Sequence, residues 1–357
     1  MSNTLIIPVG GKSKRFPNTK PKWMLTHPSG NMMWLEAIKQ LNMERIGNVL
    51  LVAPKEHVKE LGSVFLQQFR EFSTGIDFNV VELEHPTNSQ SQTVYEAIKQ
   101  RSLTGPIFVK DSDNAFSMLI DFQHNSIAYC DLHTVNIVNP SSKSYLTLNE
   151  KQVVSNVVEK QIISANFCVG GYQFLDAKEF SDCYESIRHL EVPGEEVYVS
   201  HVIYKMLLNG HSFVGAKVCG FEDWGTIDDW NRYKKTFCTV FLDIDGVLFE
   251  NASQFQAPTW GNSKPLTNNL ESIKKLRNAN PRCTLILTTS RTERFRDVTE
   301  QQLKENGLEY DLILFGLPHT RRVLINDFAE TNQYPSAIAL NLSRDAEDLN
   351  QMLKGII

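Results

Sequence analysis

Short apolar runs alternate with segments of helical periodicity through the first half of the chain. Buried strands are predicted for the apolar runs at residues 4–9, 48–52, 78–83 and 106–109. Helices are predicted by apolar spacing over 33–41 and 58–69 and, from the capping-box spacing of Thr93 and Glu96, over 93–101. This order predicts a mostly parallel sheet with helices on both faces. Ligands of such sheets bind beyond the carboxyl ends of the strands, so the loops there are candidate sites.

The same alternation begins again after a polar stretch at 228–236, which marks a domain boundary. Strands are predicted for the apolar runs at 239–242, 284–287, 311–315 and 323–325. Helices are predicted for 270–276 and for 298–306, and Gly307 closes the second of them. A chain of 357 residues is long enough for two cores, and we predict α/β domains at 1–235 and 236–357.

The charge and the hydropathy of the chain argue against two classes of partner, nucleic acids and membranes. The net charge is −5, from 36 basic and 41 acidic residues, which argues against nucleic-acid binding because that function needs a basic surface. No apolar run approaches the roughly 18–20 residues that a membrane span needs, and the first residues lack the pattern of a signal peptide. We therefore expect a soluble, cytoplasmic protein with no membrane partner, and association into a homo-oligomer stays open.

The first predicted strand ends in a glycine-rich, basic segment. Gly10 and Gly11 follow the strand, and residues 1–35 contain neither Asp nor Glu. Glycines allow backbone N–H groups to turn towards phosphate oxygens, and nearby cations offset the phosphate charge. The cations in this window are Lys12, Lys14, Arg15, Lys20 and Lys22. The segment therefore predicts a phosphate-binding site.

The stretches IIPVGGKSKRF and KPKWML resemble the signature of sugar-phosphate nucleotidyltransferases, and the resemblance extends over about residues 4–232. It implies a Rossmann-like mixed sheet and a site for a nucleoside triphosphate. By this resemblance Arg15 and Lys22 are catalytic as well as nucleotide-binding, because family members use both residues on the triphosphate. The other nucleotide-binding residues that the resemblance implies are Gly10, Gly11, Gln92, Thr93 and Asp111.

Acidic residues at two further positions match metal-binding motifs of the same family. Asp113 lies in the stretch KDSDN after a predicted strand, and Asp223 begins DWGT, which is similar to the family's Asp-x-Gly-Thr motif. The resemblance implies that both hold one Mg²⁺, which prefers such oxygen ligands. The acceptor-binding residues that it implies are Glu159, Lys160 and Glu196.

The reaction implied by the resemblance is attack of an acceptor phosphate on the α-phosphorus of a nucleoside triphosphate, with release of pyrophosphate. Similarity to small cytidylyltransferases favours CTP and leaves UTP and dTTP open. The acceptor would be a sugar phosphate, a polyol phosphate or a similar small molecule. Positioning and charge neutralisation by Mg²⁺, Arg15 and Lys22 would dominate the catalysis.

The apolar run at 239–242 ends in two acids that are separated by one residue. Asp243 and Asp245 can serve one phosphoryl group as nucleophile and as acid/base, and Gly246 permits the turn. The stretch FLDIDGVL resembles the first motif of haloacid-dehalogenase-type phosphatases, over about residues 238–345. The resemblance implies that Asp243 forms an aspartyl-phosphate, and that Asp245 protonates the leaving oxygen and then activates water.

The remaining motifs of that family occur in order along the chain. Thr289, in LILTTSR, matches the phosphate-binding position, and Arg322 is the candidate for the basic residue on the phosphoryl group. Asp327 matches the last metal-binding acid, so Mg²⁺ would be held by Asp243, Asp327 and the backbone carbonyl of Asp245. Only about 20 residues separate the first motif from the helix predicted at 270, which implies a smaller Rossmannoid domain with a minimal cap.

The leading hypothesis is a bifunctional, Mg²⁺-dependent enzyme whose substrates are a nucleoside triphosphate and phosphorylated small molecules. The resemblance suggests synthesis of a surface-polysaccharide precursor. A glycosyltransferase is one alternative, because residues 111–113 also form an Asp-x-Asp motif. The other alternative is a nucleotide-sugar-binding scaffold protein with one inactive domain.

Overall fold

A computed structural model of the protein describes residues 3–12, 16, 20–61, 64–72, 75–135, 139–190, 196–252, 259–327 and 337–354, with the backbone only at 64–66. The chain divides into two compact units, Met1–Lys234 and Lys235–Ile357. Along the described residues, no helix is both long enough and apolar enough to cross a membrane.

The first unit alternates strands with helices. Its strands are β1 (Thr4–Pro8), β2 (Leu41–Asn42), β3 (Asn48–Pro54), β4 (Asp77–Leu83), β5 (Ile107–Lys110), β6 (Asn114–Leu119), β7 (Asn125–Asp131), β8 (Tyr145–Leu148), β9 (Val154–Val158), β10 (Asn166–Phe174), β11 (Phe213–Lys217) and β12 (Cys219–Asp223). Its α-helices are α1 (Met33–Ile38), α2 (Lys55–Leu61), α3 (Val64–Phe72), α4 (Gln90–Arg101), α5 (Ala177–Ile187), α6 (Val199–Leu208) and α7 (Ile227–Lys234).

Nine of the strands in the described part of the chain form the main sheet. Their order is β11-β7-β10-β5-β1-β3-β4, and β8 and β9 are attached through β10. β1 pairs in parallel with β3 and β5, whereas β10 runs antiparallel to β5 and β7. The sheet is therefore mixed, and the glycine-rich segment after β1 leaves it from an interior strand.

The alternation of apolar residues along β1 explains why helices cover both faces of this sheet. Ile6 belongs to a buried cluster that includes Val94 of α4 and further residues of α5 and α6. Leu5 and Ile7 point to the other face, where they belong to a cluster with Trp34 of α1. Successive strand residues face opposite sides, so a strand buried on both sides reads as one continuous apolar run.

A small sheet of order β12-β6-β2 positions the two acids of the first unit that are predicted to bind metal, because Asp223 ends β12 and Asp113 immediately precedes β6. β12 pairs antiparallel with β6, and Asp223 at its end is the partner of Asn114. The next residue, Trp224, donates its backbone N–H to the carbonyl of Asp113 at 2.9 Å. Two acids that are distant in sequence therefore lie at the same end of one pair of strands.

The second unit has a parallel sheet of order β13 (Cys238–Asp243), β14 (Cys283–Thr288) and β15 (Leu312–Leu314) among its described residues. Its α-helices are α8 (Thr267–Ala279), α9 (Arg296–Glu305) and α10 (Leu349–Leu353). Leu242, Leu285 and Leu287 of the strands form a core with Leu270 of α8 and Leu303 of α9. In a parallel sheet the carboxyl ends share one edge, so the end of β13 lies beside the end of β14.

Two local predictions from the sequence are wrong. α4 begins at Gln90, because its N-cap is Ser89 rather than Thr93: the Ser89 hydroxyl accepts the backbone N–H of Gln92 at 3.2 Å. Residues 323–325, predicted as a strand, have no regular secondary structure, and Ile325 is 89% exposed. An apolar run of three residues offers too few positions for periodicity to separate a strand from an extended loop.

Candidate active sites

The cleft of the first unit lies beyond the carboxyl end of β1 and has a volume of about 590 Å³. Most of the residues predicted for this unit line it, namely Gly11, Lys22, Thr93, Asp111, Asp113, Glu159, Lys160, Glu196 and Asp223. Arg15 lies outside the described residues. The residues that the sequence predicts to bind nucleotide, metal and acceptor therefore line the same cleft.

Gly10, Gln92 and Thr93 shape the loop after β4, beside the cleft. The Thr93 hydroxyl donates to the backbone carbonyl of Ser89 at 3.1 Å. A Cβ at Gly10 would lie 2.7 Å from the Thr93 hydroxyl oxygen. A larger residue at position 10 would therefore push the Thr93 side chain away. The amide oxygen of Gln92 accepts the backbone N–H of Asn88 at 2.7 Å. The side chains of Gln92 and Thr93 thus hydrogen-bond to the backbone of the protein and fix the shape of the loop beside the cleft.

Two lysine–aspartate ion pairs lie at the end of the cleft that the predicted metal-binding acids Asp113 and Asp223 line, which we call the metal end. Lys22 Nζ donates to Oδ2 of Asp113, and Lys143 Nζ donates to Oδ2 of Asp223. None of these four side chains is more than 19% exposed. Oδ1 of Asp223 also accepts the backbone N–H of Gly225 at 3.0 Å. Each acid is therefore paired with one lysine. Because water is partly excluded here, the attraction within each pair is stronger than it would be at an exposed surface.

Lys110 is fully buried, and its side chain fixes the turn that carries Asp111 and Asp113. Its Nζ donates to the carbonyls of Asp111 (2.8 Å) and Asn114 (2.9 Å) and to Oδ1 of Asn114 (2.6 Å). Burial lowers the pKa of Lys110 to about 8, although the nearby acids oppose this. Burial raises the pKa of Asp111, and the charge of Asp113 adds to the effect. Asp111 accepts a hydrogen bond from Gln90.

The predicted acceptor-binding residues Glu159, Lys160 and Glu196 line another part of the cleft, which we call the acceptor end. Neighbouring side chains hold Glu159 and Lys160 in place. Oε2 of Glu159 accepts the Ser200 hydroxyl at 2.6 Å. Lys160 donates to the Tyr198 hydroxyl, and its Nζ lies 4.3 Å from the centre of that ring. The hydrogen bond to Tyr198 is the main cause that raises the pKa of Lys160. With Glu196 on the same wall, this end can bind hydroxyl groups and an anion.

The donor set at the metal end fits a magnesium ion that binds together with phosphates. Mg²⁺ in such sites is held by one or two carboxylates, and substrate phosphates and water supply the other ligands. Asp113 and Asp223 provide two carboxylates at adjoining strand ends. Within the described residues there is no group of three or more His, Cys, Asp or Glu side chains that could hold a metal ion. Two carboxylates would leave the other positions around a magnesium ion to water and phosphate oxygens.

In the second unit, Asp243 and Asp245 lie where β13 ends. Part of the Asp243 side chain meets solvent, yet reduced hydration of the carboxyl raises its pKa, and nearby Arg322 partly opposes this. The turn passes through Gly246, whose φ of +85° is in the region that favours glycine. Thr289, at the end of β14, donates its hydroxyl to Oδ2 of Asp245 at 3.4 Å. Adjacent strand ends thus bring the two acids and the threonine together.

Arg291 is fully buried and holds Asp245 through two nitrogens. Its Nε lies 3.0 Å from Oδ2 and its Nη2 lies 2.8 Å from Oδ1 of Asp245. Nη1 donates to Thr299 at 3.1 Å and to Gln302 at 3.0 Å, both on α9. A two-pronged arginine–carboxylate pair fixes orientation as well as distance. The helix α9 therefore sets the direction of the Asp245 carboxylate.

Arg322 and Asp327 lie in the segment after β15. Nη1 of Arg322 donates to the carbonyl of Pro318 at 2.8 Å, and the guanidinium is near enough to Asp243 to affect its pKa. Asp327 is exposed, two residues after Ile325. It does not form a three-acid metal group with Asp243 and Asp245 in the part of the chain that the structure describes.

Several residues that contact the predicted acids received no role from the sequence, and three of them bind the acids through long polar side chains. Gln90 binds Asp111, Lys143 binds Asp223, and Arg291 binds Asp245. Arg291 could have been found, because it ends the stretch TTSR that carries Thr289. Lys143 lies in no motif that the sequence analysis identified, so its role depends on the fold.

Comparisons with known proteins find similarities to both parts of the chain. The model of the family described as "HAD domain in Swiss Army Knife RNA repair proteins" matches residues 239–340. The first unit is similar in structure to a nucleoside-diphosphate-sugar pyrophosphorylase from Vibrio cholerae RC9, with a TM-score of 0.55 and 17% identity over 65% of this chain and 99% of that chain. A UDP-glucose pyrophosphorylase complexed with UDP-glucose is also similar, with a TM-score of 0.51 and 15% identity over 66% of this chain and 99% of that chain. A comparison with curated protein sequences finds no match.

The predicted fold classes are confirmed by these findings. The family match confirms a haloacid-dehalogenase-type domain in the second unit. The structural likenesses confirm a nucleotidyltransferase-type fold in the first unit, and at this level of identity they bear on the fold alone.

Proposed function

We propose that the first unit transfers a nucleotidyl group from a nucleoside triphosphate to a phosphorylated acceptor. The observation that carries this proposal is the meeting of Asp113 and Asp223 in one cleft that Lys22 and Gly11 also line. Two carboxylates, a lysine and a glycine-rich turn are the groups that a metal-bound triphosphate requires. The first activity would belong to residues 1–235 and the second, described below, to residues 236–357.

The reaction needs no covalent nucleophile from the protein. An oxygen of the acceptor phosphate attacks the α-phosphorus, the bond between that phosphorus and the bridging oxygen breaks, and pyrophosphate leaves. Lys22 and Arg15 would offset the charge on the triphosphate, and the cleft would align the reacting atoms. Mg²⁺, held by Asp113 and Asp223, would polarise phosphate oxygens.

The acceptor end suits a small molecule that carries hydroxyl groups and a phosphate. Glu159 and Glu196 can accept hydrogen bonds from hydroxyls, and Lys160 can bind an anion. We infer a sugar phosphate or a polyol phosphate as the acceptor and CTP as the favoured donor. The activated product would serve as a precursor of a surface polysaccharide.

The second unit would hydrolyse phosphomonoesters through an aspartyl-phosphate. An Asp243 oxygen attacks phosphorus while the ester bond to the leaving oxygen breaks. For this step Asp245 would be in its protonated form, and it gives the leaving oxygen its proton. Asp245 then takes a proton from a water molecule, which attacks phosphorus and releases orthophosphate from Asp243. Thr289 and Arg322 would bind the phosphoryl oxygens. Mg²⁺ would be held by Asp243, Asp327 and the carbonyl of Asp245, and it would offset charge on phosphorus.

The description of the matching family favours a second candidate substrate for this unit. That family occurs in RNA repair proteins, so a phosphate at an RNA end is an alternative to a small phosphomonoester. Residues 235–357 contain 14 basic and 15 acidic side chains, and this nearly neutral balance lacks the basic excess on which binding along a nucleic-acid backbone relies. Both classes belong in the test.

The test is a matrix of nucleoside triphosphates against sugar phosphates, polyol phosphates and an oligoribonucleotide with a 3′-phosphate. Pyrophosphate and orthophosphate are measured separately in the wild-type protein and in the Lys22→Ala and Asp243→Asn variants. We expect Lys22→Ala to lower pyrophosphate release by about 10²-fold or more and to leave orthophosphate release intact. Asp243→Asn should abolish orthophosphate release and leave pyrophosphate release intact.

The control is Lys55→Ala, which removes a lysine from a surface pair with Glu84, outside the cleft. Nucleotide binding without release of either product would instead favour a scaffold protein. Consumption of a nucleotide sugar without release of pyrophosphate would favour a glycosyltransferase. Persistence of orthophosphate release in Asp243→Asn would exclude the aspartyl-phosphate mechanism.

A further inference from the structure

Lys143 joins the metal end of the cleft to its acceptor end. Its Nζ donates to Oδ2 of Asp223, and its backbone carbonyl accepts the N–H of Lys160 at 3.1 Å. The next residue, Ser144, donates its hydroxyl to Glu159. A single short segment thus touches a predicted metal-binding acid on one side and two predicted acceptor residues on the other.

The negative charge of bound phosphates would offer the Lys143 ammonium a second possible partner besides Asp223. The two lysine–aspartate pairs, of Lys22 with Asp113 and of Lys143 with Asp223, are each close to neutral. A triphosphate and an acceptor phosphate add several negative charges to this partly buried site. A lysine ammonium is a point charge with three donors on a flexible stem, so it can exchange a carboxylate for a phosphate oxygen with little rearrangement of the backbone.

A divalent cation at Asp223 would compete with the Lys143 ammonium for this carboxylate. Both are positive and both need an oxygen of Asp223, so either one weakens the binding of the other. A phosphate that draws the ammonium away from Asp223 therefore makes that acid available to the cation. Binding of phosphate and of cation would then favour each other, and such coupling is reciprocal.

We propose that Lys143 is a phosphate-binding residue that pairs with Asp223 before substrate binds and moves to the acceptor phosphate afterwards. This inference rests on the proposed transfer reaction and extends it to a residue outside the family motifs. It assigns the two lysines different phosphates: Lys22 acts on the triphosphate beside Asp113, and Lys143 acts on the acceptor beside Asp223. It also makes the acceptor phosphate an aid to cation binding.

The test measures binding rather than turnover and uses the full chain. All proteins carry Asp243→Asn, so that the second unit contributes less to cation binding and does not hydrolyse phosphate esters. Free Mn²⁺ is counted by electron paramagnetic resonance without nucleotide, and binding of inorganic phosphate is measured by calorimetry without metal. The variants are Lys143→Met, Lys143→Arg and, as a control for net charge, Lys55→Met.

The proposal predicts opposite changes in the two affinities of Lys143→Met. Mn²⁺ should bind at least about fivefold more tightly and inorganic phosphate at least about fivefold more weakly than in the parent protein. Lys143→Arg should retain phosphate binding, because the charge stays, and Lys55→Met should match the parent in both measurements. A merely structural lysine would weaken both ligands together or neither.

Unchanged or weaker Mn²⁺ binding in Lys143→Met overturns the proposal, and so does unchanged phosphate binding. Absence of phosphate binding in the parent protein overturns it as well. These outcomes are independent of the proposed function, because pyrophosphate release is measured separately with the substrate matrix. Opposite shifts without any transfer activity would support the phosphate role of Lys143 and reject the transfer reaction.

Discussion

Gly170 is the residue whose replacement tests most directly how the Asp111 turn is held. It lies on β10 with φ of +74°, and the backbone N–H of Asp111 donates to its carbonyl at 2.8 Å. A Cβ at this position would lie 2.1 Å from Oδ2 of Asp111, which is far inside van der Waals contact. Either the aspartate side chain or the strand must move to make room, and Asp111 lies on the cleft wall.

We therefore expect Gly170→Ala to lower the free energy of unfolding and to reduce pyrophosphate release. Gly210→Ala is the matched control, because Gly210 has φ of +89° but no atom within 4 Å of the Cβ position. The control should show the backbone strain alone, on the order of 1–3 kcal/mol. Chemical denaturation of both variants gives the comparison. An equal loss in the two variants, with normal activity in Gly170→Ala, would mean that the contact with Asp111 has no effect.

Arg291 allows a second test at the scale of one residue. Removing one partner of a buried ion pair leaves an uncompensated charge, which costs about 3–5 kcal/mol. Arg291→Met should lower the stability of the second unit by that order, because Arg291 is fully buried and the Asp245 side chain is 8% exposed. Addition of Asp245→Asn should restore part of the loss, since it removes the stranded charge.

The control for Arg291 is Arg296→Met. Arg296 pairs with Glu293 and Glu300 but is 42% exposed, and such pairs contribute at most about 1 kcal/mol. Urea denaturation of the three proteins distinguishes the cases. Equal losses in Arg291→Met and Arg296→Met would contradict a buried, charge-determined role for Arg291.

The same contacts show why the sequence suggested some residues of the candidate sites and not others. Asp113, Asp223 and Asp243 follow strands within recognisable motifs, so local sequence was sufficient to propose them. Lys143 is 80 residues from its partner Asp223, and Arg291 is 46 residues from Asp245. Which cation faces which acid depends on strand order and loop conformation, and spacing along the chain does not carry that information.

At the scale of elements, the apolar patterns predicted seven of the fifteen strands that the structure describes. The eight that they missed are β2 and the strands from β6 to β12, and the helix cap and one very short run were predicted wrongly. The predicted strands at 4–9 and 78–83 correspond to β1 and β4, because burial on one or both faces leaves a clear pattern. The start of α4 was misplaced because Ser89 and Thr93 are both residues that suit an N-cap. Only the hydrogen bond from Gln92 to Ser89 decides between them.

The cap of α4 gives a prediction at this scale. Ser89→Ala should lower the free energy of unfolding by about 1 kcal/mol, because it removes the oxygen that accepts the Gln92 N–H. Glu96→Ala should change it by no more than about 0.5 kcal/mol, because Glu96 lies inside the helix and has no capping role. Thermal or urea unfolding measures both changes. A larger loss in Glu96→Ala than in Ser89→Ala would place the start of the helix at Thr93 after all.

At the scale of the whole chain, each unit has its own core and its own set of acids. Ile6 and Val94 belong to a cluster in the first unit, whereas Leu242 and Leu285 belong to a cluster in the second. The residues proposed for the two reactions also belong to different units, so neither set of acids is needed for the other reaction.

Coexistence of these chemistries restricts their substrates. A transferase that consumes a phosphomonoester would lose its acceptor if the phosphatase in the same chain hydrolysed that compound. The pockets must differ in specificity, and a site that hydrogen-bonds its own substrate can reject an analogue by about 10⁴-fold. We expect the best acceptor of the first unit to be hydrolysed by the second at least about 10²-fold less efficiently than the best phosphatase substrate.

The measurement is kcat/KM for orthophosphate release across the acceptor panel, in the Lys22→Ala variant so that transfer does not deplete the substrate. Asp243→Asn gives the background from other sources of phosphate. If one compound is the best substrate of both units, the two sites cannot operate on different phosphates. The transfer reaction would then have to draw on an acceptor that the phosphatase continually removes, and the assignment of at least one activity would be wrong.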